Sequence, residues 1–361
     1  MRRHARARID LGALRHNLAR VRAAAPGARV MAAIKADAYG HGMLRVAEAL
    51  HAADGFALAC VAEGVALRDA GFAHPIVLLQ GVRDADELRA AADKGIGICV
   101  HQPHHLRLLE ITSLKKPVKV WLKIDTGMHR LGIPAEETAE TFRALANNPN
   151  VAGKPCLMTH FARADEQGDT TTREQIAVFD RAVEGLDGKQ SLANSAGILA
   201  WPDSHRDWVR PGIMLYGGSP FAHRPARELD LRPAMTLTAP LIAIRELKQG
   251  DPVGYGGTWT CPEDMRVGAV AIGYGDGYPR HAPSGTPVAV RGQRTQLVGR
   301  VSMDVVTIDL RGIDAEIGDP VELWGGQVPM DEVAIAAGTI SYELTCSVGP
   351  FVHVTVDAGN P

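Results

Sequence analysis

Near its start the chain carries Leu11, Leu14, Leu18 and Val21 among polar neighbours, at spacings of three and four. That spacing predicts one apolar face of a helix, and Pro26-Gly27 stops it. Runs rich in Val, Ile and Leu then recur at 30–34, 56–61, 76–79, 97–100, 118–124, 156–159, 191–193 and 213–216. Several are continuously apolar rather than alternating, as expected for strands buried on both faces. Ala-, Arg- and Glu-rich stretches lie between them. "PAEETAETFRALAN" opens on Pro134 and acidic residues, which suits a helix N-terminus, and "TTREQIAVFDRAVEGL" is similar. Eight strands alternating with helices predict an α/β fold, a (β/α)8 barrel. Strand count alone does not close a barrel, so a doubly wound sheet is the competing arrangement.

After about residue 230 the texture changes. "MTLTAPLIAIRELKQGDPVGYGG", "RVGAVAIGYGDGYPR", "PVAVRGQRTQLVGRVSMDVVTIDL" and "DPVELWGG" are short Val- and Thr-rich runs between Gly, Pro and Asp turns. They predict a smaller C-terminal β-domain. "FAHRPARELDLRP" is the link, which places the barrel domain at 1–228 and the β-domain at 229–361.

Composition narrows the function. A length of 361 residues suits two domains, and 46% hydrophobic with 22% charged residues is ordinary for a globular protein. A net charge of −2 gives no general attraction to nucleic acid or to an anionic membrane, and no apolar run reaches transmembrane length. The basic N-terminus is not followed by the apolar segment of a signal peptide, and the five cysteines are scattered without a C-x-x-C pair. Both point to a cytoplasmic protein with reduced thiols. "HQPHH" (His101, His104, His105) matches no common metal spacing and reads as a solvated loop opening a helix, so no metal is expected. "GYGDGYPR" lacks the strand–helix setting of a dinucleotide fingerprint and reads as a turn.

The candidate chemistry sits where strands end. In "AAIKADAYGHG" Lys35 closes the first apolar run, and a tyrosine, a histidine and two glycines follow. Arg130 follows the fifth run, His160 the sixth, and Asn194 and Ser195 the seventh; Arg210 and Gly212 adjoin the eighth. In a parallel barrel all strand C-termini open on one face, which carries the active site. A lysine there can form a Schiff base where its surroundings favour the neutral amine. The turns "NSAG" and "RPGI" let backbone amides approach a phosphate closely. Pyridoxal 5'-phosphate (PLP) presents both an aldehyde and a phosphate, and would span Lys35 and these loops.

From near the N-terminus to about residue 346 the sequence resembles the alanine racemases, two-domain PLP enzymes. "AAIKADAYGHG" is similar to that family's cofactor-lysine motif. "KIDTGMHRLG", "THFARADE", "NSAG", "RPGIMLYG", "VGYGGTW", "AIGYGDGYPR" and "GRVSMD" resemble further family segments in the family's order. The resemblance implies interconversion of L- and D-alanine by a homodimer with shared active sites. The role implied is D-alanine supply for a cell wall, or L-alanine catabolism through the D-form. Lys35 would hold PLP and act as one base; Tyr255, in the β-domain, would be the second, acting across the dimer interface. Tyr39, Ser195, Gly212 and Ile213 would contact the phosphate, and Arg210 would face the pyridine nitrogen. Arg130 and the Met303 amide would hold the substrate carboxylate, with Met303 and Asp304 coming from the partner. His160 would hydrogen-bond to Tyr255, and Asp165, Tyr274 and Arg300 would line the entrance. The lysine matching Lys123 is carbamylated in several family members, where it pairs with the arginine at the position of Arg130. One departure stands out: Pro350 replaces a tyrosine that touches the phosphate in some members.

Physical reasoning supports one base on each face, since racemisation removes the Cα proton from one side and returns one on the other. Lysine and tyrosine both have unperturbed pKa values of roughly 10. Three rivals differ by observable features. A non-catalytic PLP-binding barrel would lack the β-domain. A decarboxylase of the same architecture would differ in "VGYGGTW" and "GRVSMD". A broader-specificity amino-acid racemase would differ in the size of its side-chain pocket.

Overall fold

The computed structural model describes residues 3–358 and divides into two compact units. The first comprises residues 18–38 and 42–212 and is a closed parallel barrel. Its eight strands are Arg29–Ala33, Gly55–Leu58, Ile76–Leu78, Gly97–Val100, Val120–Asp125, Cys156–Met158, Gln190–Ser191 and Trp208–Val209. Each pairs in parallel with the next, and Trp208 and Val209 pair back onto Arg29 and Val30 to close the ring. The continuous apolar runs have the expected cause: Gly55–Leu58, Ile76–Leu78 and Gly97–Val100 are buried at every position. Helices Met43–Ala49, Val61–Asp69, Ala85–Asp93, Pro103–Ile111, Thr138–Ala146, Thr171–Ala182 and Ser195–Ala200 follow the first seven strands in turn. The barrel thus replaces the doubly wound alternative.

One strand differs from expectation. Residues 213–216 form not the eighth strand but a 3-10 turn, Ile213–Tyr216, and Trp208–Val209 takes the strand's place. Ile213, Met214, Leu215 and Tyr216 are all fully buried, and a short apolar run has the same pattern whether it is extended or coiled. Pro211, which lacks an N–H, separates the strand from the turn.

The second unit comprises residues 3–17, 39–41 and 213–358. Its sheet is ordered Gln293–Gln296, Pro287–Val290, Pro320–Trp324, Met235–Leu247, Arg6–Asp10 and His353–Asp357. Met235–Leu247 is long enough to change partners along its length. Its first half pairs with Pro320–Trp324, and its second half pairs with Met265–Val270, which in turn pairs with Val306–Asp309. Ladder irregularities on either side of Pro240 mark the change. Residues 6–10, assigned from sequence to the 1–228 domain, lie in this sheet instead. They run antiparallel to Met235–Leu247 and parallel to His353–Asp357. "RARID" alternates exposed and buried positions, Ala7 and Ile9 facing the core, which suits a sheet with one wet face.

Candidate active site

The first barrel strand ends at Ala33, and Lys35 stands two residues later at the barrel mouth. The next four residues are unusual. Ala36, Asp37, Ala38 and Tyr39 all have φ between 50° and 54°, a complete left-handed turn built without glycine. Each such residue is disfavoured by roughly 1–2 kcal/mol, so the turn persists only because its surroundings hold it. Within the barrel unit those surroundings are specific. The Ala38 N–H donates to the Ile34 carbonyl at 2.9 Å, and the Ala36 N–H donates to Glu63 Oε1 at 2.7 Å. Asp37 accepts the Gly42 N–H at its carbonyl (2.9 Å) and the Met43 N–H at Oδ1 (2.7 Å).

Four basic groups act electrostatically on one imidazole. His160, after the sixth strand, is held well below the usual histidine range, first by loss of water around the ring and then by Arg210, Lys123, Arg130 and Lys35. Arg210, after the eighth strand, is buried. Its guanidinium donates to the Thr159 carbonyl (2.6 Å), the Ser191 carbonyl (2.8 Å) and hydroxyl (2.6 Å), and the Leu192 carbonyl (3.2 Å). Among the described residues no carboxylate pairs with it. Burial lowers its pKa to about 10, a range in which it remains a cation at neutral pH. Nη2 also lies 3.4 Å from His160 Nδ1. Arginine can only donate, so Nδ1 accepts and the histidine proton sits on Nε2. Lys123, on the fifth strand, is buried and pushed down to about 8, chiefly by burial, with repulsion from Arg210, Arg130 and Lys35 adding.

Hydrogen bonds lock the loops around this cluster. Asp125 Oδ1 accepts the N–H groups of Gly127, Met128 and His129, shaping the exposed loop that presents Arg130. Gln175 donates to Thr126 Oγ1 (3.0 Å) and the His160 carbonyl (3.2 Å), and accepts from the Ala162 N–H (2.9 Å). After the seventh strand Asn194 caps the helix Ser195–Ala200, and Ser195 Oγ accepts the Gly212 N–H at 2.9 Å. The seventh and eighth turns are therefore joined where a phosphate was expected. Asp165 stands on an exposed loop beside Arg163.

The other candidates lie in the second unit. Tyr255 is 68% exposed, in a turn where Gly254, Gly256 and Gly257 all have positive φ. Arg300 borders this turn: a Cβ on Gly256 would lie 3.5 Å from its Nη1. Tyr274 and Met303 are brought together, since the Tyr274 N–H donates to the Ser302 carbonyl (3.1 Å) and the Gly275 N–H to the Met303 carbonyl (2.9 Å). Gly273 makes that approach possible; a Cβ there would lie 2.3 Å from the Ser302 oxygen. Arg3 pairs with Asp304 and lies 3.3 Å from buried Asp276. Tyr39 stacks on Tyr216 at 4.7 Å and lies 5.8 Å from Tyr342. Its pKa is raised, first by burial and then by Tyr342 and Cys346. Ile213 is fully buried and accepts the Gly218 N–H at its carbonyl.

Sequence reasoning missed Glu63, Gln175, Tyr216 and Tyr342. Tyr216 sits inside the quoted "RPGIMLYG", and its position there was the available signal. The "HQPHH" segment does open a helix, with Pro103 at its first position, but it is not a solvated loop. His101 and His105 are buried, with His101 Nε2 3.0 Å from the Gln80 carbonyl.

The donor set fits PLP: a lysine at the mouth, a hydroxyl and an amide joining the two phosphate-side turns, and a buried guanidinium that no carboxylate pairs with among the described residues. Comparison with known proteins gives the family. The family "Alanine racemase, N-terminal domain" matches residues 9–220, and "Alanine racemase, C-terminal domain" matches 234–356. The chain is 54% identical over 356 residues to an alanine racemase of Halorhodospira halophila, covering 98% of each. Its structure is similar to the biosynthetic alanine racemase of Pseudomonas aeruginosa, with a TM-score of 0.96 at 44% identity, over 99% of this chain and 100% of that one. It is also similar to an alanine racemase of Bartonella henselae with covalently bound pyridoxal phosphate, at TM-score 0.88 and 28% identity, over 98% and 99%.

Proposed function

Since the chain belongs to the alanine racemase family, we propose that Lys35 holds PLP and that Lys35 and Tyr255 exchange the substrate's Cα proton on opposite faces. The reaction is the interconversion of L- and D-alanine. The observation that carries the assignment is the buried Arg210 guanidinium, 3.4 Å from His160 and paired with no carboxylate among the described residues, at the barrel end that also carries Lys35, Lys123 and Arg130. Such a mouth repels cations and suits a ligand bearing phosphate and carboxylate groups.

When bound, PLP supplies an electron sink that acidifies the substrate's Cα–H. The remaining work falls to the chain. Ser195 Oγ and the Gly212 N–H would meet the phosphate, together with Ile213 and Tyr39. Arg210 would donate to the pyridine nitrogen, and as a permanent cation it has no proton to give up there. Arg130 and the Met303 N–H would bind the substrate carboxylate. His160, neutral with its proton on Nε2, would donate to Tyr255 and stabilise the phenolate that accepts a Cα proton. Asp304 would join Met303 in binding substrate, and Asp165, Tyr274 and Arg300 would line the approach. Lys123 would be carbamylated: a neutral amine is needed to attack CO2, and its lowered pKa of about 8 makes one available.

A homodimer completes the reading. Tyr255, Tyr274 and Met303 are 68%, 40% and 54% exposed, which suits residues that a second copy would cover. No helix among the described residues is long and apolar enough to cross a membrane. The cysteines are all free thiols, which supports a reducing cytoplasm.

The test is chiral chromatography of L-alanine incubated with the protein and PLP, beside L-serine, L-lysine and L-arginine, with Lys35→Ala as control. D-alanine is expected to appear fastest and to vanish in the control. Visible absorbance of a lysine–PLP adduct without D-alanine would keep the cofactor and sink the reaction. Faster turnover of another amino acid would make it a broader racemase, and CO2 release a decarboxylase.

A further inference from the structure

The left-handed turn after Lys35 needs something to hold it, and Glu63 is placed to do so. One carboxylate oxygen accepts the Ala36 N–H at 2.7 Å. The other accepts the N–H groups of Ala59 at 2.8 Å and Cys60 at 3.4 Å. Ala59 and Cys60 follow the second barrel strand, Gly55–Leu58, and Glu63 lies in the helix Val61–Asp69 that comes next. A single half-buried side chain therefore ties the residue after Lys35 to the end of the neighbouring strand. That strand is itself fixed to the first by the Ala32–Phe56 and Ala33–Ala57 pairings.

We propose that Glu63 is a positioning residue for Lys35: by clamping the Ala36 N–H it holds residue 36 left-handed, and so sets the direction in which the lysine leaves the strand. This rests on the reading above that Lys35 carries PLP and moves the Cα proton. The bland alternative is a helix cap. Glu63 sits at the third position of its helix and receives the Cys60 N–H, which is a capping-box arrangement. A cap does not require the Ala36 bond, and that bond is the shortest of the three.

Glycine separates the two roles, because it adopts a left-handed conformation without steric penalty. The experiment compares wild type, Glu63→Gln, Glu63→Ala, Ala36→Gly and the Ala36→Gly/Glu63→Ala double variant. Each is measured for melting temperature, kcat and KM for L-alanine, and the rate at which PLP-stripped protein regains the visible absorbance of the lysine adduct. Glu63→Ala is expected to slow both kcat and adduct formation by about tenfold, because small displacements of a reacting group are costly. Glu63→Gln, whose amide oxygen can still accept the Ala36 N–H, should fall in between. Ala36→Gly should restore about threefold or more of the loss in the double variant, since it lowers the cost of the left-handed conformation. Unchanged kcat and adduct rate in Glu63→Ala, whatever its melting temperature, would overturn the assignment. So would a loss that Ala36→Gly does not relieve. A wild type that forms no adduct at all would instead overturn the reading of Lys35, and the two failures are distinct.

Discussion

Lys123 is the residue whose chemistry depends most on its surroundings. It lies on the fifth barrel strand, buried, with its pKa pushed down to about 8 from 10.5. An amine in that range is still mostly a cation at neutral pH, but its neutral fraction is far larger than an ordinary lysine's and can add CO2, exchanging a cation for an anion beside Arg130. Labelling with 13C-bicarbonate is expected to give a carbamate carbon signal in wild type and none in Lys123→Met. Absence of the signal in wild type leaves a free amine, and the linkage sign then follows. The folded pKa lies below the unfolded one, so between about pH 8 and 10.5 the unfolded state binds more protons. Stability would then rise with pH through that window by up to about 3 kcal/mol, and Lys123→Met would remove the slope. Lys123 and Arg130 were both legible in "LKIDTGMHR"; the burial that chiefly lowers the amine's pKa, and the repulsion that adds to it, were not. Both depend on groups far away in sequence, Arg210 and Lys35 among them. Glu63 and Gln175 were missed for the same reason. A side chain that accepts a distant backbone N–H leaves no periodic trace in the chain.

At the scale of elements, continuous apolar runs located seven of the eight barrel strands, because burial on both faces writes itself directly into composition. The eighth failed where burial carried no information about conformation. Ile213–Tyr216 is as apolar as a strand, yet Trp208–Val209 makes the closing pairs. The fourth helix gives a sharper lesson. Its polar opening suggested exposure, but His105 packs inward, 4.4 Å from His101, with its pKa lowered to about 4, chiefly by burial and then by His101 and His104. A histidine kept neutral in the fold is protonated first in the unfolded chain. Its contribution is therefore complete above about pH 6.5 and is lost as pH falls toward 4. His105→Leu is expected to flatten that acid limb by about 2 kcal/mol, allowing for partial screening by water. Urea unfolding followed between pH 7 and 4 measures it; parallel curves for wild type and variant would assign the acid loss elsewhere.

At the scale of the whole molecule, the proposed reaction requires one base from each of two units that are far apart in sequence. Lys35 belongs to the barrel unit, and Tyr255 to the β-rich unit, in an exposed glycine turn. The sequence marked both residues and the change of texture between their domains. It did not mark that Arg6–Asp10 crosses into the second sheet, because five alternating residues fit either domain until their partners are known. Whether the two bases of one site come from one chain or two is decided by mixing. The Lys35→Ala and Tyr255→Phe proteins should each be inactive alone, and the proposed dimer gives the mixture its arithmetic. If a site takes Lys35 from one copy and Tyr255 from the other, a mixed dimer carries one intact pair and one doubly defective pair. Random exchange makes half of the dimers mixed, so about a quarter of wild-type activity should return, at a rate set by subunit exchange. If both bases come from the same chain, every site in the mixture lacks one of them and no activity returns. Recovery that scales with the mixed fraction therefore places Tyr255 in its neighbour's site, and the exposure of Tyr255 and Met303 becomes a property of the separated chain alone.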